Sequence, residues 1–236
     1  MGHGFAGSEV DVEQALAGAL RTWERSRRED HVGAGPPQAV QPFVTISRQV
    51  GAGGSDLAAR ISQRTGWALF DREILQAMAG DDSLRERLYA WMDERDISWL
   101  EGALAWIAAG KWAPHDYFPR LSRNVLALAR GASAIFVGRG ADLILPPGIG
   151  LRLRVIAPLE QRLESFAQRH GLDQATARRE VERIDRGRSE FIQRHFHCDV
   201  DSVERHDLVL NMGRLSAEDA LEVSMCALRL RGMIPT

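Results

Sequence analysis

Apolar residues recur at helical spacing through 11–30 (DVEQALAGALRTWERSRRED). Val12, Ala15, Leu16, Ala19, Leu20 and Trp23 share one stripe there, which predicts an amphipathic helix. HVGAGPPQAVQP, 31–42, follows as a Gly/Pro linker, so residues 1–42 read as a docked appendage. The pattern then changes character. Phe43–Ser47 (FVTIS) is a short β-branched run that ends in RQVGAGGS, before a helical pattern over 56–65. Trp67–Phe70 is a second short strand. Helical patterns follow at about 72–79, 83–95, 98–109 and 120–130. Ile135–Val137 and Leu151–Ile156 (LRLRVI) predict further buried strands, and 159–170 and 173–195 are helical. Asp207–Leu210 is a final strand, before a helix at 217–230 that Ser216 and Asp219 open as a capping pair. Short buried strands separated by helices predict an α/β fold, a parallel sheet with helices on both faces.

The turn after the first strand carries the clearest candidate chemistry. A strand, a glycine-rich turn and a helix N-terminus together make an anion site, because backbone N–H groups point outward and the helix dipole favours negative charge. Gly51, Gly53 and Gly54 permit the close approach such a cradle requires. Three glycines in four residues also suit a plain loop; placement directly after the first buried strand favours phosphate. The P-loop pattern G-x-x-x-x-G-K-[ST] puts Gly53 at its second glycine and Ser55 at its magnesium-binding hydroxyl. Arg48 then stands at the first glycine and Gly54 at the lysine.

Composition narrows the picture. The chain has 236 residues, 44% hydrophobic, with a formal net charge of −2, enough for one domain with an insert or appendage. No apolar run reaches the roughly 18 residues of a membrane helix, and the acids of MGHGFAGSEVDVEQ argue against a secretory signal. Two cysteines, Cys198 and Cys226, make no disulfide framework and fit a reducing cytoplasm. The near-neutral balance lacks the footprint of a nucleic-acid binder. Of 30 basic residues only Lys111 is a lysine. Codon bias accounts for that, but it also means that charge at a phosphate site must come from arginine or from Lys111.

Arginine is concentrated where such charge is needed. Over 152–194 there are ten arginines against seven acids. Ala177, Val181 and Ile184 mark the buried stripe of the 173–195 helix, and helical spacing continues it to Arg188. Arg179, Arg183 and Arg186 form a neighbouring stripe, which also suits a solvated helix laced with pairs such as Glu182–Arg186.

VTISRQVGAGGSDLAARISQRTGWALFDREIL, IFVGRGADLIL, LRVIAPLEQRLE, ERIDRGRSEFIQRHF and DLVLNMGRLSAEDALE together resemble the cytidylate-kinase-like branch of the P-loop nucleoside monophosphate kinases, in order, over roughly 43–230. The resemblance implies a P-loop three-layer sandwich with a five-stranded parallel sheet. About 80–130 would be a helical acceptor-side insert and about 173–195 a lid. It implies transfer of the ATP γ-phosphate to a nucleoside monophosphate, CMP or dCMP, with Mg²⁺. Arg48, Gly51, Ala52, Gly53, Gly54 and Ser55 would hold donor phosphates, Ser55 also the magnesium. Arg183, Arg186 and Arg188 would act as catalytic lid arginines, and Asp71, Arg72, Arg139 and Asp185 would bind the acceptor. Cytidylate kinases carry Asp-Gly-Arg-Asp after the third core strand; here Val137 and Gly140 replace both acids, and Asp142 lies out of register. Asp71 equally suits a helix cap. The competing classes are a degenerate nucleotide-binding or regulatory protein on the same fold, and a kinase of another small acceptor.

Two weaker constellations complete the reading. His195, His197 and Cys198 have metal-ligand chemistry but no second cluster to complete a site, so a helix-end loop is the simpler reading. Trp67, Trp91, Trp99, Trp106 and Trp112 fall within 67–112, as an insert core, a homodimer surface or a stacking site would require.

Overall fold

The computed structural model describes residues 9–30, 40–90, 92, 94–108 and 117–235. Lys111, Trp91, Trp112 and the linker at 31–39 lie outside the described residues, as does the side chain of Trp106. Five strands form one sheet in the order β2-β3-β1-β4-β5. They are β1 (Phe43–Arg48), β2 (Ala68–Phe70), β3 (Ala134–Val137), β4 (Leu151–Ile156) and β5 (Leu208–Asn211). Strand β4 runs parallel to β1, with Ser47 opposite Arg154, and parallel to β5, with Arg154 opposite Val209.

The chain forms two compact units. One comprises the chain up to Pro42 together with Trp67–Ala134, and the other comprises Phe43–Gly66 with Ile135–Thr236. In the first, α1 (Glu9–Asp30) packs on β2, on α3 (Arg72–Gly80) and on α6 (Tyr117–Gly131). Leu16, Leu20 and Trp23 of the predicted stripe are buried, and the Trp23 indole donates to the Leu128 carbonyl at 2.9 Å. Burying each such side chain stabilises by about 1.5–3 kcal/mol, which explains why this helix docks. The predicted 83–95 and 98–109 helices are α4 (Asp82–Tyr89) and α5 (Glu94–Ala108), with the boundary between them earlier than expected. Trp67 is buried, and the Arg130 guanidinium lies 5.4 Å from the Trp99 ring centroid.

The second unit contains the glycine-rich turn. It adds α2 (Gly54–Thr65), α7 (Ala141–Ile144), α8 (Leu159–His170), α9 (Gln174–Phe196) and α10 (Ala217–Leu230). A capping box of Ser216 and Asp219 opens α10, as expected. Strand β4 carries two buried arginines on one face. Arg152 donates to the carbonyls of Asp142, Leu145 and Pro146, and Arg154 to Ser47 Oγ (2.7 Å) and Asp201. Each buried guanidinium is tolerated because its donors are matched with acceptors. No helix among the described residues is long and apolar enough to cross a membrane.

Candidate functional site

Strand β1 ends at Arg48 and the chain turns through Gln49–Gly53 into α2. Gln49 N continues the ladder to Val155 O (3.0 Å), and Ala52 N closes the turn on Gln49 O (3.3 Å). Gly51 adopts φ +76°, and a Cβ there would lie 2.3 Å from the carbonyl oxygen of Arg162, so only glycine lets the turn press on α8. Gly53, left-handed at φ +81°, is the N-cap of α2 and supplies no side-chain cap. The first-turn N–H groups of α2 therefore face outward at the positive end of the helix, an arrangement suited to phosphate oxygens.

Side chains from α8 and α9 bolt this turn in place. The Asp185 carboxylate accepts from Val50 N (3.0 Å) and from Arg162 Nη1 (2.6 Å), and the same Nη1 donates to Val50 O (3.3 Å). Arg188 Nη1 donates to Arg48 O at 3.0 Å and lies 3.5 Å from Asp185 Oδ1. The Val50 side chain is buried with Leu163, Phe166, Ala167, Ala177 and Val181. A cavity of about 140 Å³ lies over the turn, lined by Arg48, Ser55, Arg169, His170 and Arg188 with the glycines. That is below the roughly 300–1,000 Å³ of a pocket for a whole drug-sized ligand, so its size suits phosphate groups.

The sequence-predicted residues sort as follows. Arg48, Gly51, Gly53, Gly54, Ser55 and Arg188 meet around the cavity. Ala52 is buried beneath the turn and lends it only backbone. Asp185 joins the group by gripping the turn itself. Arg183, 64% exposed, pairs with Glu180 at 2.8 Å, Arg179 bonds Thr176 Oγ1, and Arg186 is exposed. Glu182 lies 4.0 Å from Arg178. Ser55, exposed on the first turn of α2, offers a hydroxyl beside the cavity. Among the described residues no group of three His, Cys, Asp or Glu could hold a metal ion.

Arg139 sits in the turn after β3. Gly138, Arg139 and Gly140 have consecutive left-handed φ of +79°, +54° and +69°. For arginine that conformation costs on the order of 1 kcal/mol. Its guanidinium lies 5.1 Å from the Phe191 ring centroid of α9. Burial, then Arg194 and Arg139, hold the nearby His195 imidazole below its ordinary pKa. His197 is the left-handed C-cap of α9, at φ +56°. Asp142 on α7 keeps its side chain only 6% exposed, with Arg205 at 3.3 Å. Asp71 and Arg72 belong to the other unit, where Asp71 caps α3 through Ile74 N (2.9 Å) and Arg72 pairs with Glu73 (2.6 Å).

Sequence reasoning missed Arg162, Arg169 and His170. The signal was present, since Arg162, Phe166 and Arg169–His170 recur at helical spacing beside Leu159 and Leu163. The register argument that singles out Arg188 on α9 singles out these on α8.

A model of the cytidylate kinase-like family matches residues 43–214. A cytidylate kinase of Methanopyrus kandleri is 28% identical over 103 residues, 43% of this chain and 53% of that protein. A uronate isomerase of Corynebacterium glutamicum is 28% identical over 117 residues, 49% of this chain and 23% of that protein. The chain thus spans about half or less of the length of these curated relatives. A solved structure of an uncharacterized protein from Eubacterium ventriosum shares the fold, with TM-score 0.58 and 16% identity, covering 80% of this chain and 99% of that one. The family match takes in the glycine turn, Arg139, both bolting helices and β5, and on that extent the chain belongs to the cytidylate kinase-like family.

Proposed function

We propose that the chain transfers the γ-phosphoryl group of ATP to a nucleoside monophosphate, CMP or dCMP, with Mg²⁺. The observation that carries this reading is the convergence of an uncapped α2 N-terminus, the glycine turn and arginines of β1, α8 and α9 on one cavity. Phosphoryl transfer is mostly positioning and neutralisation of charge on the moving group. The α2 N–H groups would hold donor oxygens, and Asp185 and Arg162 keep that backbone cradle from collapsing. Arg188 lies at the rim, near enough to the turn to bond its backbone, and would move its charge onto the transferring group. Mg²⁺ bound by Ser55 and the phosphates would screen the negative charge that otherwise repels the acceptor. Arg139 would grip the acceptor phosphate, its strained backbone fixing where the guanidinium starts.

A panel of nucleoside monophosphates in a coupled ADP-release assay tests the proposal, with CMP or dCMP expected to give the fastest turnover. Absence of turnover with every acceptor, alongside ATP binding, would leave the second reading. That reading, a nucleotide-binding protein without transfer activity, is favoured by Gly54 at the lysine position and by Val137 and Gly140 in place of the cytosine-side acids. Turnover confined to a non-nucleotide acceptor would identify a kinase of another small molecule.

A further inference from the structure

Gly54 stands where the P-loop pattern has lysine, and Arg48 where it has its first glycine. In three dimensions these two departures are one. A Cβ on Gly54 would lie 2.7 Å from Arg48 Cβ and 3.0 Å from Arg48 Cγ, with Val155 Cβ at 3.5 Å. The stem of Arg48 therefore fills the space through which a side chain at 54 would leave the backbone. At its far end the same side chain lies against the turn after β3. A Cβ on Gly138 would fall 2.0 Å from Arg48 Nη1 and 3.2 Å from its Cζ. Arg48 thus spans from the glycine turn to the residue preceding Arg139, and it lines the cavity together with Gly53, Gly54, Ser55 and Arg188.

We infer that Arg48 supplies the donor-phosphate cation that P-loops take from lysine, and that arginine at 48 and a side chain at 54 exclude each other. The inference rests on the phosphotransferase reading and deepens it by naming the group that meets the donor's phosphates. The chemistry differs from lysine's. A guanidinium is charged at any working pH and offers a planar fork to two phosphate oxygens, whereas an ammonium is a mobile point charge. Packed along Gly54 and Gly138, the fork is held in place before the donor arrives, so less freedom is lost on binding. Glycine at 138, left-handed at φ +79°, leaves open the space the guanidinium occupies, and a side chain there would have to displace it. The outer arginines of α9 are poorer substitutes, because Arg183 is turned to Glu180 and solvent.

The test uses the full chain and titrates a non-hydrolysable ATP analogue with Mg²⁺, while thermal melting reports folding. Arg48→Gly together with Gly54→Lys rebuilds the pattern G-x-x-x-x-G-K-S. Arg48→Gly alone is expected to weaken binding about tenfold or more, and the double variant to recover to within about threefold of the unmodified chain. Gly54→Lys alone is expected to lower both affinity and melting temperature, because its stem meets Arg48. Arg48→Met keeps the stem and removes the charge, and the same tenfold loss is expected if Arg48→Gly does not fold. Unchanged binding by Arg48→Met, or a folded double variant no better than a folded Arg48→Gly, overturns the cation role. Gly54→Lys that melts and binds like the unmodified chain overturns the exclusion. If the unmodified chain does not bind the analogue, the cation role falls together with the kinase reading. Binding that Arg48 controls without any turnover removes only the kinase reading.

Discussion

Helix α9 carries arginine on two faces, and the two faces have different fates. On one, Arg188 follows Ala177, Val181 and Ile184 in register, is 25% exposed, and bonds the backbone of Arg48. On the other, Arg183 is 64% exposed and engages Glu180 three residues away, while Arg179 bonds Thr176. The same side chain one stripe apart is either part of the glycine turn or part of the solvated surface. Register with the apolar stripe, more than local charge density, decides which arginine reaches the glycine turn.

The strongest way to break that contrast is kinetic. Arg188→Ala is expected to lower turnover in the ADP-release assay by about 100-fold or more, the scale of losing a preorganised donor to a charged transition state. A smaller loss there than in Arg183→Ala would invert the contrast. Next in size is a stability effect. Asp185→Asn removes the charge that answers Arg162 and weakens the hold on Val50 N. Urea unfolding should register a loss of about 2–3 kcal/mol, less than for a fully buried pair because Asp185 keeps 29% of its side chain exposed.

An acid titration provides a comparison away from α9. Burial alone would raise the pKa of Asp207, but hydrogen bonds from Arg231 and Arg152 N outweigh it and hold the carboxyl below its ordinary value. Its folded value lies below its unfolded one, so the stability it contributes is complete above the ordinary carboxylate range. That stability is lost as pH falls through the lower, folded value. Asp207→Asn should cost about 1–2 kcal/mol at neutral pH, with the gap from the unmodified chain closing in thermal melts as pH falls below the ordinary carboxylate range. The smallest expected effect belongs to the outer stripe. Arg179→Gln and Arg183→Gln should leave unfolding free energy within about 0.5 kcal/mol, as exposed pairs do. A fall in kcat at unchanged stability would show that the outer stripe closes on substrate after all.

The fold was legible where local pattern and tertiary environment agree. The strand at Leu151–Ile156 and the helices at 159–170 and 217–230 coincide with their predicted bounds, because short buried strands and capped amphipathic helices announce themselves locally. The break between α4 and α5 is expected after residue 95, whereas α4 ends at Tyr89 and α5 begins at Glu94, since no glycine or proline between 83 and 95 marks the earlier position. Helix α7, four residues long, is too short to have a period. At the site, the glycine turn and Arg188 could be read from placement and register. The grip of Asp185 on Val50 N could not, because its partner lies 135 residues away. Nor could the collision between positions 48 and 54, which depends on how the turn folds back over its own first residue.

The bond from the Trp23 indole to Leu128 has a consequence for synthesis. Its partners are 105 residues apart, so α1 leaves the ribosome well before the surface that receives its apolar stripe exists. At roughly 5–20 residues per second it waits some 5–20 seconds with that stripe uncovered. During that interval Leu16, Leu20 and Trp23 are available to chaperones or to other nascent chains. Yield in cells should therefore respond to translation rate and chaperone supply more than the equilibrium stability of the finished protein would suggest.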